Sequence, residues 1–204
     1  MQEFKMLKAE EAIAKLPDGR ELVLETGRLA KQAAGSAVVR MGDAFVLATV
    51  CFGPEKDADF FPLTVEFREK AYAAGRLPGG YKKREAPPGD DETLKARIID
   101  RPIRPMFPDG FTREVQVIVQ VLSADKSFDA DILGVSAASL AVGVSELPFE
   151  EQVAAVRVAI VDGKPVINPT FSQLDICELD MVVGGTANSV CMVEGGAYEV
   201  SEQI

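Results

Sequence analysis

Two apolar segments on either side of Gly42-Asp43 predict a β-hairpin in the first quarter of the chain. Residues 37–41 and 44–52 are rich in Val, Ala, Leu and Phe, which favour the half-buried surface of a sheet. Glycine and aspartate tolerate the backbone conformations that a tight hairpin turn requires. A hairpin of this kind needs further strands beside it, so we expect the first third of the chain to be mainly sheet.

The same patterns predict more strands and two helices. Strands are expected over residues 21–26, 62–67 and 114–123. A helix is expected to begin at Asp90-Asp91-Glu92, because acidic side chains favour a helix N-terminus, and to end at Pro102 and Pro105. A second helix, over residues 128–145, is rich in Ala, Ser and Gly, and these small residues predict close packing against a sheet.

Residues 146–204 repeat the pattern on a smaller scale. Strands are expected over residues 153–161, 165–168, 178–184 and 189–193. Residues 199–204 have the composition of the start of a helix, and we interpret the chain as a fragment of a longer protein. We therefore divide the chain into a part over residues 1–145 and a part over residues 146–204.

Composition excludes several classes of function. The chain has 204 residues, with 22 Lys and Arg against 32 Asp and Glu, a formal charge of −10 and no histidine. Without histidine there is no Ser-His-Asp or Cys-His pair, no histidine general base and no histidine-ligated metal. Because phosphate binding needs clustered cations, an acidic chain must confine any nucleic-acid site to a local surface.

Cysteine usage and the hydropathy pattern suggest a soluble cytoplasmic protein with no membrane partner. Cys51, Cys177 and Cys191 are odd in number and widely spaced, and we expect them to be reduced thiols in the core. Residues 1–16 lack the apolar segment of a secretory signal, and the uncharged run over 132–145 is too short to cross a bilayer.

A basic segment interrupts this acidic chain. Residues 68–84 contain one acid, Glu69, and six cations, and Tyr81 stands directly before the run Lys82-Lys83-Arg84. An aromatic ring beside flexible cations can stack on bases while the cations attract the phosphate backbone. The alternative interpretation is a solvated surface loop whose charge only promotes solubility.

Three arginines form a second candidate site. Arg97, Arg101 and Arg104 are spaced to share one face of a helix, and guanidinium groups bind phosphate well. The alternative is a surface stripe neutralised by ion pairs, for example from Asp100 to Arg104 or Arg97.

Carboxylates form a third candidate. Asp129 and Asp131, and separately Asp175, Glu178 and Asp180, have spacings that could hold a divalent cation. The alternative is that these acids cap helices or end strands. The chain has no Walker, dinucleotide-binding or nucleophile-elbow motif, so nothing in it indicates those sites.

Four motifs together resemble a known family. They are ETGRLA at 25–30, DFFPLTV at 59–65, AAGRLPG at 73–79 and ARIIDRPIRP at 96–105. In order along nearly the whole chain, they resemble the first RNase PH-like core of bacterial polynucleotide phosphorylases. That resemblance implies an α+β fold in two sub-layers, each a mixed sheet backed by helices.

The resemblance also implies a function in mRNA degradation. Enzymes of this family shorten RNA from the 3′ end by phosphorolysis, with inorganic phosphate as co-substrate and nucleoside diphosphates as products, and they form homotrimeric rings. Their RNA-gripping loop corresponds here to Tyr81, Lys82, Lys83 and Arg84, with lysines at two of four positions. The residues that the resemblance assigns to binding of single-stranded RNA are Arg76, Tyr81, Lys82, Lys83, Arg84, Arg97, Arg101 and Arg104.

Two departures from the family pattern concern catalysis. The phosphate-binding turn of a competent core is rich in serine, but Asp129-Ala130-Asp131 stands in its place. Of the metal-binding positions only Asp180 matches, since Leu174 and Val182 replace the other aspartate and the lysine. We therefore expect no catalytic residues in this core, Asp180 as a weak metal candidate, and Mg²⁺ in the second RNase PH-like core of the same chain. The alternatives are a self-sufficient RNase PH-type exoribonuclease and a purely structural ring subunit.

Overall fold

A computed structural model describes residues 9–201, and its first part is a six-stranded sheet. The strands are β1 (Glu10–Lys15), β2 (Glu21–Thr26), β3 (Gly35–Met41), β4 (Ala44–Glu55), β5 (Leu63–Glu69) and β6 (Arg113–Ser123). Their order in the sheet is β1-β2-β3-β4-β6-β5, and all neighbours are antiparallel except β5 and β6. The predicted hairpin over β3 and β4 is confirmed, with Met41 opposite Ala44 across the turn.

The remaining elements of the described residues are three α-helices, two short 3-10 helices (Ala71–Ala74 and Arg104–Met106) and a second sheet. The α-helices and strands are α1 (Asp90–Ile103), α2 (Asp131–Gly143), β7 (Ala154–Val161), β8 (Lys164–Ile167), α3 (Phe171–Leu174), β9 (Leu179–Gly185) and β10 (Val190–Ala197). The second sheet has the order β10-β9-β7-β8 and is antiparallel throughout. The expectation of a mixed sheet was therefore wrong here, because no helical crossover returns a strand in parallel. The α+β class is confirmed.

Helix α2 joins the two sheets. It packs on β3 and β4 of the first sheet and on β7 of the second. Nearly all of its side chains are buried, as expected for a helix that is covered on opposite faces. One core extends from Val39 and Val119 to Val182 and Met192. The two parts divided at residue 145 thus share one core, and the exact division stays a prediction.

Several local expectations need correction. Strand β1 was not predicted, because its charged side chains hide the pattern; all six residues are exposed, as an edge strand allows. Pro102 does not end α1 but lies in its last turn, where its buried ring packs against Gly184. Residues 199–201 are not helical, and the rest of the helix expected over 199–204 lies outside the described residues.

The cysteines differ from the expectation of buried thiols. All three are free, but Cys51 is exposed and Cys177 and Cys191 are half-buried. Cys51 alternates with buried residues on β4 and therefore points to the solvent-facing side of the sheet. Among residues 9–201, no helix is both long enough and apolar enough to span a membrane.

Candidate nucleic-acid interface

The basic segment forms an exposed loop between β5 and α1. Its first two residues, Arg68 and Glu69, end β5, and the loop itself has no regular structure apart from a single 3-10 turn at Ala71–Ala74. Tyr81 is fully exposed and Leu77 is 88% exposed. Arg76 and the run Lys82-Lys83-Arg84 are exposed too, and none of these four cations forms an ion pair within residues 9–201. The loop thus presents to the solvent the ring of Tyr81 and four cations that have no acidic partner among residues 9–201.

The three arginines of α1 do not form one free anion-binding surface. Arg101 pairs with Glu194 of β10. Arg104 binds Asp100 through two hydrogen bonds of 2.7 and 3.0 Å, and it donates to the carbonyls of Phe61 and Leu63 at 3.0 and 3.2 Å. Arg97 is exposed and has no ion pair in the described part of the chain. The alternative of a surface stripe neutralised by ion pairs therefore applies to Arg101 and Arg104 but not to Arg97. RNA contacts of Arg101 and Arg104 stay predictions.

A cleft of about 720 Å³ leads from the loop toward the N-terminus of α2. Its charged lining residues are Glu69, Arg76, Asp91, Glu92, Lys95, Asp125, Lys126 and Asp129. Carboxylates outnumber cations in this lining, so the cleft repels anions more than it attracts them. Burial and the neighbouring carboxylates raise the pKa of Glu69 above its ordinary range.

Lys95 neutralises the acids at the inner end of the cleft. Its Nζ lies 2.9 Å from Asp129 and 2.9 Å from Asp91. Burial opposes the charged form of Lys95, but these two carboxylates outweigh it and raise the lysine pKa. Asp129 is therefore held by a cation of the protein rather than left free to bind a metal.

The side chain of Asp131 fills the N-terminal end of α2. Its carboxylate accepts a hydrogen bond of 2.7 Å from the amide of Ile132, and the side chain is only 4% exposed. A helix N-terminus favours an anion, and here a carboxylate of the chain itself takes that position. Asp129 and Asp131, which stand in place of the serine-rich turn of the family, thus both lie at this helix end.

Arg157 of β7 links this helix end to the second sheet. It donates two hydrogen bonds to Asp180 of β9, at 2.8 and 2.6 Å, and its guanidinium lies 3.8 Å from Asp131. The bonds to Asp180, followed by the nearby Asp131, raise the pKa of Arg157 further above its already high value. Both carboxylate oxygens of Asp180 are thus used by the arginine.

The residues of this core do not fit a divalent metal. Among residues 9–201, no three acidic or cysteine side chains are grouped so that they could hold an ion. Asp180 is bound to Arg157, and the matching positions Leu174 and Val182 offer no oxygen ligand. The candidates Asp175 and Glu178 lie near Asp180 in sequence but do not complete a site with it.

Asp131 carries an unusual protonation equilibrium. Burial first, and the charge of Asp129 second, raise its pKa to about 6, although Arg157 opposes the shift. Since the folded-state pKa lies above the ordinary 3.8, the folded chain binds this proton more tightly than the unfolded chain does. The stabilisation that comes from the proton is present below about pH 4 and is lost as the pH rises through about 6.

We expect Asp131→Asn to stabilise the chain at high pH. The amide mimics the protonated acid and leaves Arg157 paired with Asp180, so the free energy of unfolding should rise by about 1–3 kcal/mol at about pH 8. The gain should disappear near pH 4, where the native acid is also protonated. Urea unfolding across this range measures the difference, and an equal effect at both pH values would contradict the buried charge.

Sequence reasoning missed Lys95 and Arg157, which organise this end of the core. The only available signal for Arg157 was a single charge within the otherwise apolar strand AAVRVAIV. A charge in such a strand predicts a buried partner, but the sequence does not identify Asp131 and Asp180 as that partner.

Comparison with known proteins relates this geometry to a family. Residues 18–148 match the model of domain 1 of the 3′ exoribonuclease family, RNase PH, and residues 151–204 match its domain 2. A polyribonucleotide nucleotidyltransferase of Gemmatimonas aurantiaca is 56% identical over 186 residues, which cover 91% of this chain and 25% of that protein. One from Staphylococcus aureus is 50% identical over 203 residues, which cover 99% of this chain and 28% of that protein. The chain thus spans about a quarter of the length of these curated relatives.

Solved structures show the same fold at low sequence identity. Rice (Oryza sativa) Rrp46 superposes with a TM-score of 0.67 at 13% identity, over 98% of this chain and 84% of that chain. The Archaeoglobus fulgidus exosome with RNA bound to the active site gives a TM-score of 0.68 at 20% identity, over 93% of this chain and 85% of that chain. The predicted RNase PH-like fold is confirmed, and the chain belongs to the 3′ exoribonuclease family.

Proposed function

We propose that this chain is the first RNase PH-like core of a polyribonucleotide nucleotidyltransferase, and that it guides single-stranded RNA. The observation that carries the RNA-binding role is the loop in which exposed Tyr81 precedes three cations that form no ion pair with residues 9–201, in a chain of net charge −10. Identities of 50–56% to proteins of that name support the enzymatic context.

The whole enzyme would act by phosphorolysis. An oxygen of inorganic phosphate attacks the phosphorus of the last phosphodiester of the RNA, and the bond from that phosphorus to the 3′ oxygen of the preceding nucleotide breaks. That oxygen takes up the proton given up by the phosphate and becomes the new 3′ hydroxyl, and the terminal nucleotide is released as a nucleoside diphosphate. In this core, Asp131 and Asp129 lie where the resemblance expects phosphate, and Asp180 is bound by Arg157. We therefore assign the phosphate site and Mg²⁺ to a second RNase PH-like core of the same protein.

The remaining parts of the proposal concern assembly and location. A role of this core in ring assembly is part of the proposal, because the family resemblance implies it. A homotrimer is the arrangement that the family resemblance favours, and the cytoplasm, where mRNA is degraded, is the proposed location.

Removal of the loop cations tests the RNA-binding role. Lys82→Ala, Lys83→Ala and Arg84→Ala in one variant should weaken binding of single-stranded RNA by about 100-fold at about 0.1 M salt, since three phosphate contacts are lost. The slope of log K against log salt should fall by about 2, because each contact with a single strand contributes about 0.7. Fluorescence anisotropy with labelled poly(A) at several salt concentrations measures both quantities.

A matched control removes the same charge elsewhere. The variant with Lys15, Lys31 and Lys164 changed to Ala loses three exposed cations outside the loop and should bind RNA nearly as the native chain does. If the native chain, the triple loop variant and the control variant bind RNA with equal affinity that does not depend on salt, the RNA-binding role is rejected and only the purely structural role remains. Rapid release of nucleoside diphosphate from poly(A) by this chain, with phosphate and Mg²⁺, would instead favour the self-sufficient exoribonuclease.

A further inference from the structure

One carboxylate closes the base of the basic loop. Glu92 lies in the first turn of α1, and its Oε1 accepts the amide of Glu69 at the end of β5 at 2.9 Å. Its Oε2 accepts the amide of Gly89, directly before the helix, at 3.1 Å. The two ends of the connection between β5 and α1 are therefore held together by a single side chain.

Two further side chains strengthen this closure. Arg68 donates from its terminal nitrogen to the carbonyl of Ala86 at 2.8 Å, and its Nε lies 3.4 Å from Glu92 Oε1. Glu85 accepts the amide of Ala71 at 3.1 Å. The side chains of Arg68 and Glu92 are only 17% and 18% exposed, so solvent screens their ion pair less than a surface pair.

The tip of the loop is built differently from its base. Residues 76–84 are almost all exposed, and within residues 9–201 none of their side chains forms a hydrogen bond or an ion pair with another residue. A closed base reduces the number of conformations that the tip can sample before it binds a ligand. Restriction of this kind lowers the entropy lost on binding, because less of the loop remains to be ordered.

We propose that Glu92, supported by Arg68, is a positioning residue for RNA binding. It touches no RNA itself but fixes where the ring of Tyr81 and the cations Lys82, Lys83 and Arg84 stand relative to α1. This inference rests on the proposed function of the loop, and it adds a residue whose charge is opposite to that expected of an RNA ligand.

Glu92→Ala tests the inference against a control on the same helix turn. Asp90→Ala removes the same charge close by, and Asp90 forms no ion pair in the part of the chain that the structure describes. Glu92→Ala should weaken binding of labelled poly(A) about 10-fold relative to Asp90→Ala, with an unchanged salt slope because every cation is retained. Trypsin should cut the variant faster after Lys82, Lys83 and Arg84, since the loop is released.

Two additional variants separate positioning from general destabilisation. Glu92→Gln keeps one carbonyl acceptor and should lie between the native chain and Glu92→Ala in RNA affinity. When Glu92→Ala is combined with the triple loop variant, its further loss of affinity should be much smaller than 10-fold, because only the ring of Tyr81 is left to position. A merely destabilising substitution would weaken both backgrounds equally, and that result would overturn the inference.

The proposed function and this inference fail in different ways. Normal RNA affinity of the triple loop variant would reject the loop as the RNA site. If the triple loop variant binds RNA weakly while Glu92→Ala binds RNA with normal affinity, only the positioning role of Glu92 is rejected.

Discussion

Arg157→Met is expected to lower the free energy of unfolding by about 3 kcal/mol at about pH 7.5. The substitution keeps most of the side-chain volume but leaves Asp131, which is 4% exposed, and Asp180 without their shared cation. An uncompensated carboxylate at that depth is expensive because the surrounding protein cannot solvate it as water does. Urea unfolding followed by circular dichroism measures the loss.

The effect of Arg157→Met should shrink at low pH and with a second substitution. Without the cation, the already raised pKa of Asp131 rises further, so protonation relieves more of the cost at about pH 5 than at about pH 7.5. Addition of Asp131→Asn should restore part of the stability at the higher pH. A loss that is the same at both pH values and in both backgrounds would show that Arg157 acts through packing alone.

Arg101→Met provides the matched control. This arginine also pairs with a carboxylate, that of Glu194, but the two side chains are 51% and 46% exposed. Exposed pairs contribute little, so the variant should stay within about 0.5 kcal/mol of the native chain. A comparable loss in both variants would argue against burial as the cause.

The fold could be predicted well wherever burial leaves a periodic pattern in the chain. Strands β2, β3 and β6 and the start of α1 lie within two residues of their expected positions, and β4 begins where expected but extends three residues further, to Glu55. Strand β1 could not be found, since both of its faces are exposed and neither needs apolar residues. The packing of the two sheets on α2 joins residues that are far apart in the chain. The position of α2 between the sheets therefore could not be predicted from local sequence patterns.

The candidate site could be predicted in part. The basic loop was identifiable because composition alone sets it apart from an acidic chain, and its exposure follows from its charge. The arginine stripe was harder, since spacing places Arg101 and Arg104 on a helix but does not show their partners. Glu194 lies 93 residues from Arg101, a distance at which sequence patterns carry no pairing information. The contact of Arg157 with Asp131 could not be predicted for the same reason, since these residues are also far apart in the chain.

Gly35→Ala is expected to destabilise the chain by about 3 kcal/mol or more, because β3 and α2 approach too closely for a side chain. A Cβ built at Gly35 would overlap the carbonyl oxygen of Ala141 and would lie 3.0 Å from Ser145 and 3.1 Å from Val50. The nearest atom belongs to the helix backbone, which cannot move aside as a flexible side chain can. Relief would require α2 to shift away from the first sheet, and the same helix also packs on β7.

Gly196→Ala separates this steric effect from the general effect of replacing glycine in a strand. Gly196 lies in β10, and a Cβ there would meet no atom within 4 Å. Its replacement should be neutral or stabilising by up to about 1 kcal/mol, since alanine restricts the unfolded chain more than glycine does. Thermal unfolding of both variants measures the contrast.

Because α2 begins at Asp131, the Gly35 variant should also lose the pH dependence of stability assigned to that residue if the helix moves as a unit. Retention of both stability and pH dependence by Gly35→Ala would contradict the close approach of β3 and α2.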